Sequence, residues 1–231
     1  MHPTGRLSGV ANNPGRRQLD HGRSLQPPLL RLLSALAVLG SIGLIGGNIW
    51  GSIVVPDHDW VADTVSDLAA GRYEIIQDVA LYAYAVALFA MALAAAHAHA
   101  GGWGWSVGIL SLAILGAVVT VIGARNEYGD GDDAGVVVHI YLVYALGFLF
   151  TLAPVAMAGG LAERSRKMKI AAYALAAVWA IGAAIYFMLP TDIDGAWERG
   201  LGIITVLFVA LLAAHFAQLA RAIDDQAVNN G

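Results

Sequence analysis

Six long apolar runs alternate with short polar connections along the chain. They cover residues 29–54, 75–98, 103–124, 134–160, 170–189 and 201–220, each nearly free of charge and bounded by Gly, Pro or charged residues. A helix needs about 20 apolar residues to cross the hydrocarbon core of a bilayer, and each run reaches that length. The pattern predicts an all-α fold, a polytopic bundle of six transmembrane helices. Residues 1–28 are polar with no apolar period and predict a disordered tail. Residues 29–221 form the transmembrane domain, and 222–231 a second short tail. Nothing at the start resembles a cleavable signal peptide, because the first run begins about thirty residues in and is long enough to span.

Charge gives the bundle a direction. Ten of the 13 Lys and Arg fall on one side of the predicted spans: Arg6, Arg16, Arg17, Arg23, Arg31, Arg164, Arg166, Lys167, Lys169 and Arg221. The other side, with its adjoining helix ends, carries 13 of the 17 Asp and Glu but only Arg72, Arg125 and Arg199. Lys and Arg near span ends stay cytoplasmic, so both termini are expected inside, in the inner (plasma) membrane. The loop from Glu163 to Lys169 holds four of these basic residues in seven positions and sets the orientation most firmly. Trp103 and Trp105 on the inner side, and Trp50, Trp60 and Trp197 on the outer side, suit the two interfacial aromatic belts. The few scattered basic residues argue against nucleic acid as a partner. The chain has no cysteine, which excludes disulfides, thiolate metal sites and cysteine nucleophiles.

Chemistry-bearing residues gather on the outer side. In the first outer loop, Pro56 and Gly71 bracket a short amphipathic helix with Asp63, Ser66 and Asp67 on one face and Val61, Val65 and Leu68 on the other. Such a helix lies at the membrane surface or turns its polar face to the bundle mouth. Asp133 is a natural N-cap for the fourth span, with His139 about two turns inside it. An ionisable ring there marks a site, or is satisfied by one hydrogen bond from a neighbouring helix. The last outer loop adds Asp192, Asp194, Glu198 and Arg199, and Arg125 ends the third span. Arg pairs with carboxylate or phosphate through its planar fork. On the inner side, His97 and His99 end the second span and His215 lies in the sixth, a weak metal or haem candidate, since residues two apart on a helix do not share a face. Within the spans, Gly43 and Gly47, and Gly116 and Thr120, are small-residue pairs that let helices approach.

Three short motifs occur in order: Ser66-Asp67-Leu68 after the first span, an acidic loop (Asp132, Asp133) followed by His139, and Gly195-Ala196-Trp197-Glu198-Arg199 entering the sixth span. On these residues the chain resembles a family of bacterial and archaeal membrane proteins catalogued as domain of unknown function 998, over about residues 28–221. The Phe-Pro-x-Asp stretch of that family after the third span is replaced here by Ile122-Gly123-Ala124-Arg125-Asn126-Glu127. The resemblance implies no activity.

Two functions of different class follow from the residues. In the first, the outer cluster binds a lipid headgroup, a small ligand or a membrane partner subunit, with Arg125, Asp192, Glu198 and Arg199 as ligand-binding residues. The arginines then favour an anionic head. In the second, the chain is an intramembrane hydrolase acting on lipid, with His139 as general base toward Ser66 and Asp67 or another acid orienting it. His139 with two carboxylates could instead hold a catalytic zinc. A secondary transporter is a third reading, weakened by the lack of charge at mid-membrane.

Overall fold

A computed structural model describes residues 25–124 and 139–230. Helices α1 (Pro27–Val54), α3 (Glu74–Ala98), α4 (Trp103–Ala124), α5 (His139–Arg164), α6 (Arg166–Tyr186) and α7 (Asp194–Asn229) are long and apolar enough to cross a membrane. A one-turn helix, α2 (Val65–Leu68), and a 3-10 turn (Gly71–Tyr73) lie between α1 and α3. Among the described residues there is no strand, and the chain is a multi-pass membrane helical bundle. The end that carries α2 is called the outer end, after the charge pattern.

Each helix begins and stops for a local reason. Pro27 and Pro28 occupy the first turn of α1, where the missing N–H costs nothing and φ is already helical. Ser165 caps α6 by accepting from Met168 N. The first outer loop holds less helix than its Pro and Gly brackets predict. A capping box between Thr64 and Asp67 starts α2 only at Val65. Before it, the Asp59 carboxylate accepts from Val61 N and Ala62 N, so side chains satisfy backbone donors that a helix would otherwise use. The sixth span also differs from expectation. It starts at Asp194 and runs to Asn229, so residues 222–229 are helical and Glu198 and Arg199 stand inside the helix. Residues 1–24, which include most of the expected tail, and 125–138, which include Arg125, Asp132 and Asp133, lie outside the described residues.

The helices pack sequentially: α1 on α3, α3 on α4, α4 on α5, α5 on α6 and α6 on α7, with α7 returning to α1. In lipid, such packing rests on close approach and interhelical hydrogen bonds, not on hydrophobic exclusion. The α1–α3 contact is the most extensive. A Cβ on Gly40 would collide with the Ala83 carbonyl, and one on Gly47 with Ala80 Cβ. Aromatic donors then reach backbone carbonyls on neighbouring helices or turns. Trp179 Nε1 donates to Gly147 O (3.0 Å), Trp197 Nε1 to Gly182 O (2.9 Å), Trp105 Nε1 to Ala95 O (2.9 Å) and Tyr82 Oη to Gly123 O (2.9 Å). At the inner end Arg31 pairs with Asp224, both about half exposed, a pair of small energetic weight.

Gly40→Leu should force α1 off α3, at a cost of about 1–3 kcal/mol or more. Gly46→Leu, with nothing within 4 Å of its added Cβ, should be tolerated. Melting of the two variants in detergent, followed by size-exclusion chromatography, checks this. Equal melting temperatures would contradict the close-approach account.

Candidate functional site

The outer end is organised by one buried cation. Arg199 is 8% exposed and its fork is filled. Nε donates to Asn48 Oδ1 (3.1 Å), and Nη1 to Trp60 O (3.1 Å) and Asp63 O (2.7 Å). Nη2 donates to His58 Nε2 (2.8 Å) and, more distantly, to Ser52 Oγ (3.5 Å). The guanidinium also lies 4.4 Å from the centroid of the Trp60 ring, a cation–π contact. Because His58 accepts at Nε2, its proton sits on Nδ1 and faces Asp63 Oδ2 at 3.3 Å. Arg199 therefore joins α7 to the end of α1 and to the first outer loop.

The other residues of the last motif complete the join. Gly195 passes so close to the loop that a Cβ would strike the Asp63 carbonyl, and Ala196 N donates to Val61 O (2.9 Å). Glu198 Oε2 accepts from Val65 N (2.7 Å), at the first residue of α2. Asp67 Oδ2 accepts from Thr64 N (2.6 Å) and Thr64 Oγ1 (2.9 Å). Each conserves loop geometry by satisfying a backbone donor that would otherwise be stranded.

Held this way, α2 presents Ser66 to the start of α5. Ser66 Oγ and His139 Nε2 are 3.5 Å apart, a long contact, though catalytic hydrogen bonds in unliganded sites are often long. His139 Nδ1 is buried and has no hydrogen bond among the described residues. Both side chains line a cavity of about 620 Å³ that draws on all six spans. Its walls are mainly aliphatic and aromatic, with Asn48, Ser66, His139, Glu198 and Arg199 at the outer end and Tyr84, Thr151 and Thr205 deeper. Ile49, Tyr144, Phe148 and Ile203 line it and are themselves exposed, so its apolar walls run out toward the surface of the bundle.

The chain belongs to the DUF998 family. The family pattern, described as "Protein of unknown function", matches residues 38–215. No curated protein and no solved structure matches the chain. The DUF998 match includes Ser66, His139 and Arg199, which the structure brings to one end of the bundle.

Of the residues singled out in the sequence, Ser66, His139, Glu198 and Arg199 converge on the cavity. Asp67 lies beside it in the capping box. Asp192 is exposed in the turn before α7 and does not line it. Arg125 and the Asp133 cap lie outside the described residues. Among the described residues no group of three or more His, Asp or Glu comes together as for a metal. On the inner side, His97 Nε2 accepts from Gln26 N (2.9 Å), His99 closes α3 in a left-handed conformation (φ 42°), and His215 packs its ring against Trp105 and Phe216. Sequence reasoning passed over His58 and Asn48. The signal for Asn48 was an amide inside an apolar run, one helical turn before Ser52.

The Arg199 join is open to test. Arg199→Lys keeps the charge and loses the fork. Protease cleavage within residues 56–70 should accelerate while helical circular dichroism holds, a local loss of about 2–3 kcal/mol. Acid should act in the same direction. Burial of the ring first, and the Arg199 charge second, hold His58 below its ordinary 6.5, against the opposing pull of Asp63, Asp67 and Asp59. The folded loop thus binds this proton less readily than the unfolded one. Its stability is full above the unfolded value and falls as pH drops below about 6.5. The protection of the loop amides, corrected for the intrinsic slowing of exchange in acid, should fall from about pH 7 to about pH 5, and His58→Gln should flatten that dependence. A pH-independent loop in wild type would contradict the neutral-His58 arrangement.

Proposed function

We propose that the chain binds a membrane amphiphile in the chamber, its polar head against Ser66 and His139 and its apolar body between α1, α5, α6 and α7. The observation that carries this reading is the chamber itself: about 620 Å³, walled by apolar side chains, several of them exposed, and polar at one end. Small-molecule sites have this size, about 300–1,000 Å³, and this pattern of apolar lining with a few convergent polar groups. Apolar walls that run out toward the surface of the bundle favour a lipid-borne molecule over a water-soluble one. The role of Arg199 in this reading is to build the mouth, since its N–H groups are already donated within the protein. The head then meets the hydroxyl and the imidazole first. The charge sorting supports a place in the cytoplasmic membrane with both tails inside.

The contact between Ser66 and His139 favours a second reading, hydrolysis of the bound lipid. Ser66 Oγ would attack an ester carbonyl and pass its proton to His139 Nε2, which returns it to the departing alcohol; water then releases the acyl group from Ser66.

One sample tests both. Protein extracted with native lipid is weighed by native mass spectrometry and assayed for release of fatty acid. Ala184 lines the chamber, so Ala184→Trp should fill it and lower retained amphiphile about tenfold, with thermal stability kept. Ser66→Ala should retain amphiphile, and should abolish any fatty-acid release. Equal retention in wild type and Ala184→Trp would sink the binding reading; release that survives in Ser66→Ala would sink the hydrolytic one.

A further inference from the structure

The deep end of the chamber is not wholly apolar. Tyr84 on α3 is 3% exposed and lines the cavity. Its hydroxyl has Thr205 beside it but makes no hydrogen bond of normal geometry among the described residues. The two threonines at this depth have already donated their protons: Thr205 Oγ1 to Gly202 O (2.8 Å) and Thr151 Oγ1 to Gly147 O (2.9 Å). Their oxygens remain acceptors, and the Tyr84 hydroxyl remains a donor.

Two helices fix how deep this cluster lies. Tyr84 is ten residues beyond Glu74 on α3, and Thr205 eleven beyond Asp194 on α7. At 1.5 Å per residue both stand about 15 Å below the outer helix ends, near the middle of a hydrocarbon core about 30 Å thick. A phenol short of a well-formed hydrogen bond is costly there, because lipid offers it no partner. A pocket made only for hydrocarbon would be served as well by Phe at this position.

We infer that the occupant of the chamber carries a second oxygen, a hydroxyl or carbonyl part-way along its apolar body, which accepts from Tyr84. This rests on the amphiphile-binding reading and narrows its ligand to an oxygenated long-chain lipid. A hydroxyl on the ligand would also donate to Thr205 Oγ1, filling both roles at once. Tyr84 is then the residue that distinguishes such a chain from a plain alkyl chain, while Ser66 and His139 hold the head.

Two probes isolate the effect: 1-O-octadecylglycerol and its 12-hydroxy derivative. Their ether link resists hydrolysis, and the mid-chain hydroxyl lies near Tyr84 when the glycerol sits at the mouth. Binding to the full chain in nanodiscs is read from tryptophan emission, since Trp60 and Trp179 line the chamber. Wild type should bind the hydroxylated ether about fivefold to tenfold more tightly. Tyr84→Phe should remove that preference and leave affinity for the plain ether within about twofold. Equal affinities in wild type, or a preference that survives in Tyr84→Phe, would overturn the inference and leave the chamber as an unselective alkyl site. Binding of neither ether would overturn the amphiphile reading with it. Should Tyr84→Phe fail to fold by thermal melt, Thr205→Val serves in its place and should weaken the preference.

Discussion

The outer end of this protein depends on a single guanidinium. Burying a cation near a membrane is unfavourable unless its donors are matched. Arg199 meets that demand with two backbone carbonyls, an amide oxygen, a hydroxyl and an imidazole, with the charges of Glu198, Asp63 and Asp67 nearby. The carbonyls belong to a loop with almost no regular structure, and such a loop must find partners for its polar backbone somewhere. Each side supplies what the other lacks. The position of α2, and so of Ser66, follows from that exchange.

The same arrangement separates the roles of neighbouring acids. Glu198 and Asp67 both hold backbone N–H groups at the start of α2, where negative charge also suits the helix dipole. These are positioning tasks. Among the described residues, His139 Nδ1 near the mouth and Tyr84 Oη in the interior are buried atoms of cavity-lining residues that lack a hydrogen bond. Charge thus builds the frame at the mouth, and hydroxyl groups stand among the apolar side chains deeper in the space it encloses.

Span number, the limits of most spans to within a few residues and the end that carries the polar cluster were legible in the sequence, because each rests on a local quantity; the sixth helix, which runs well past its apolar stretch at both ends, was not. Bilayer thickness sets run length, and the charge sorting needs only a count on each side. The α1–α3 docking face was half visible in Gly43 and Gly47, while Gly40, which packs against the Ala83 carbonyl, was not singled out. The partners of Arg199 were illegible. A free arginine beside carboxylates reads as an anion receptor, and only tertiary structure reveals that carbonyls 136 and 139 residues away fill it. Tyr84 and Thr205 were hidden for a different reason: a single hydroxyl in an apolar span has no pattern until the helices are assembled around a cavity.

The contact between His58 and Arg199 closes 141 residues of chain. The first loop is synthesised early, yet the residue that fastens it arrives with the last span. Until α7 inserts, the backbone of residues 58–63 has no guanidinium to bind, and the roof over Ser66 is unfinished. Completion of the chain is therefore written into this end of the bundle, where a nascent or truncated copy would differ from a finished one in the fastening of a surface loop.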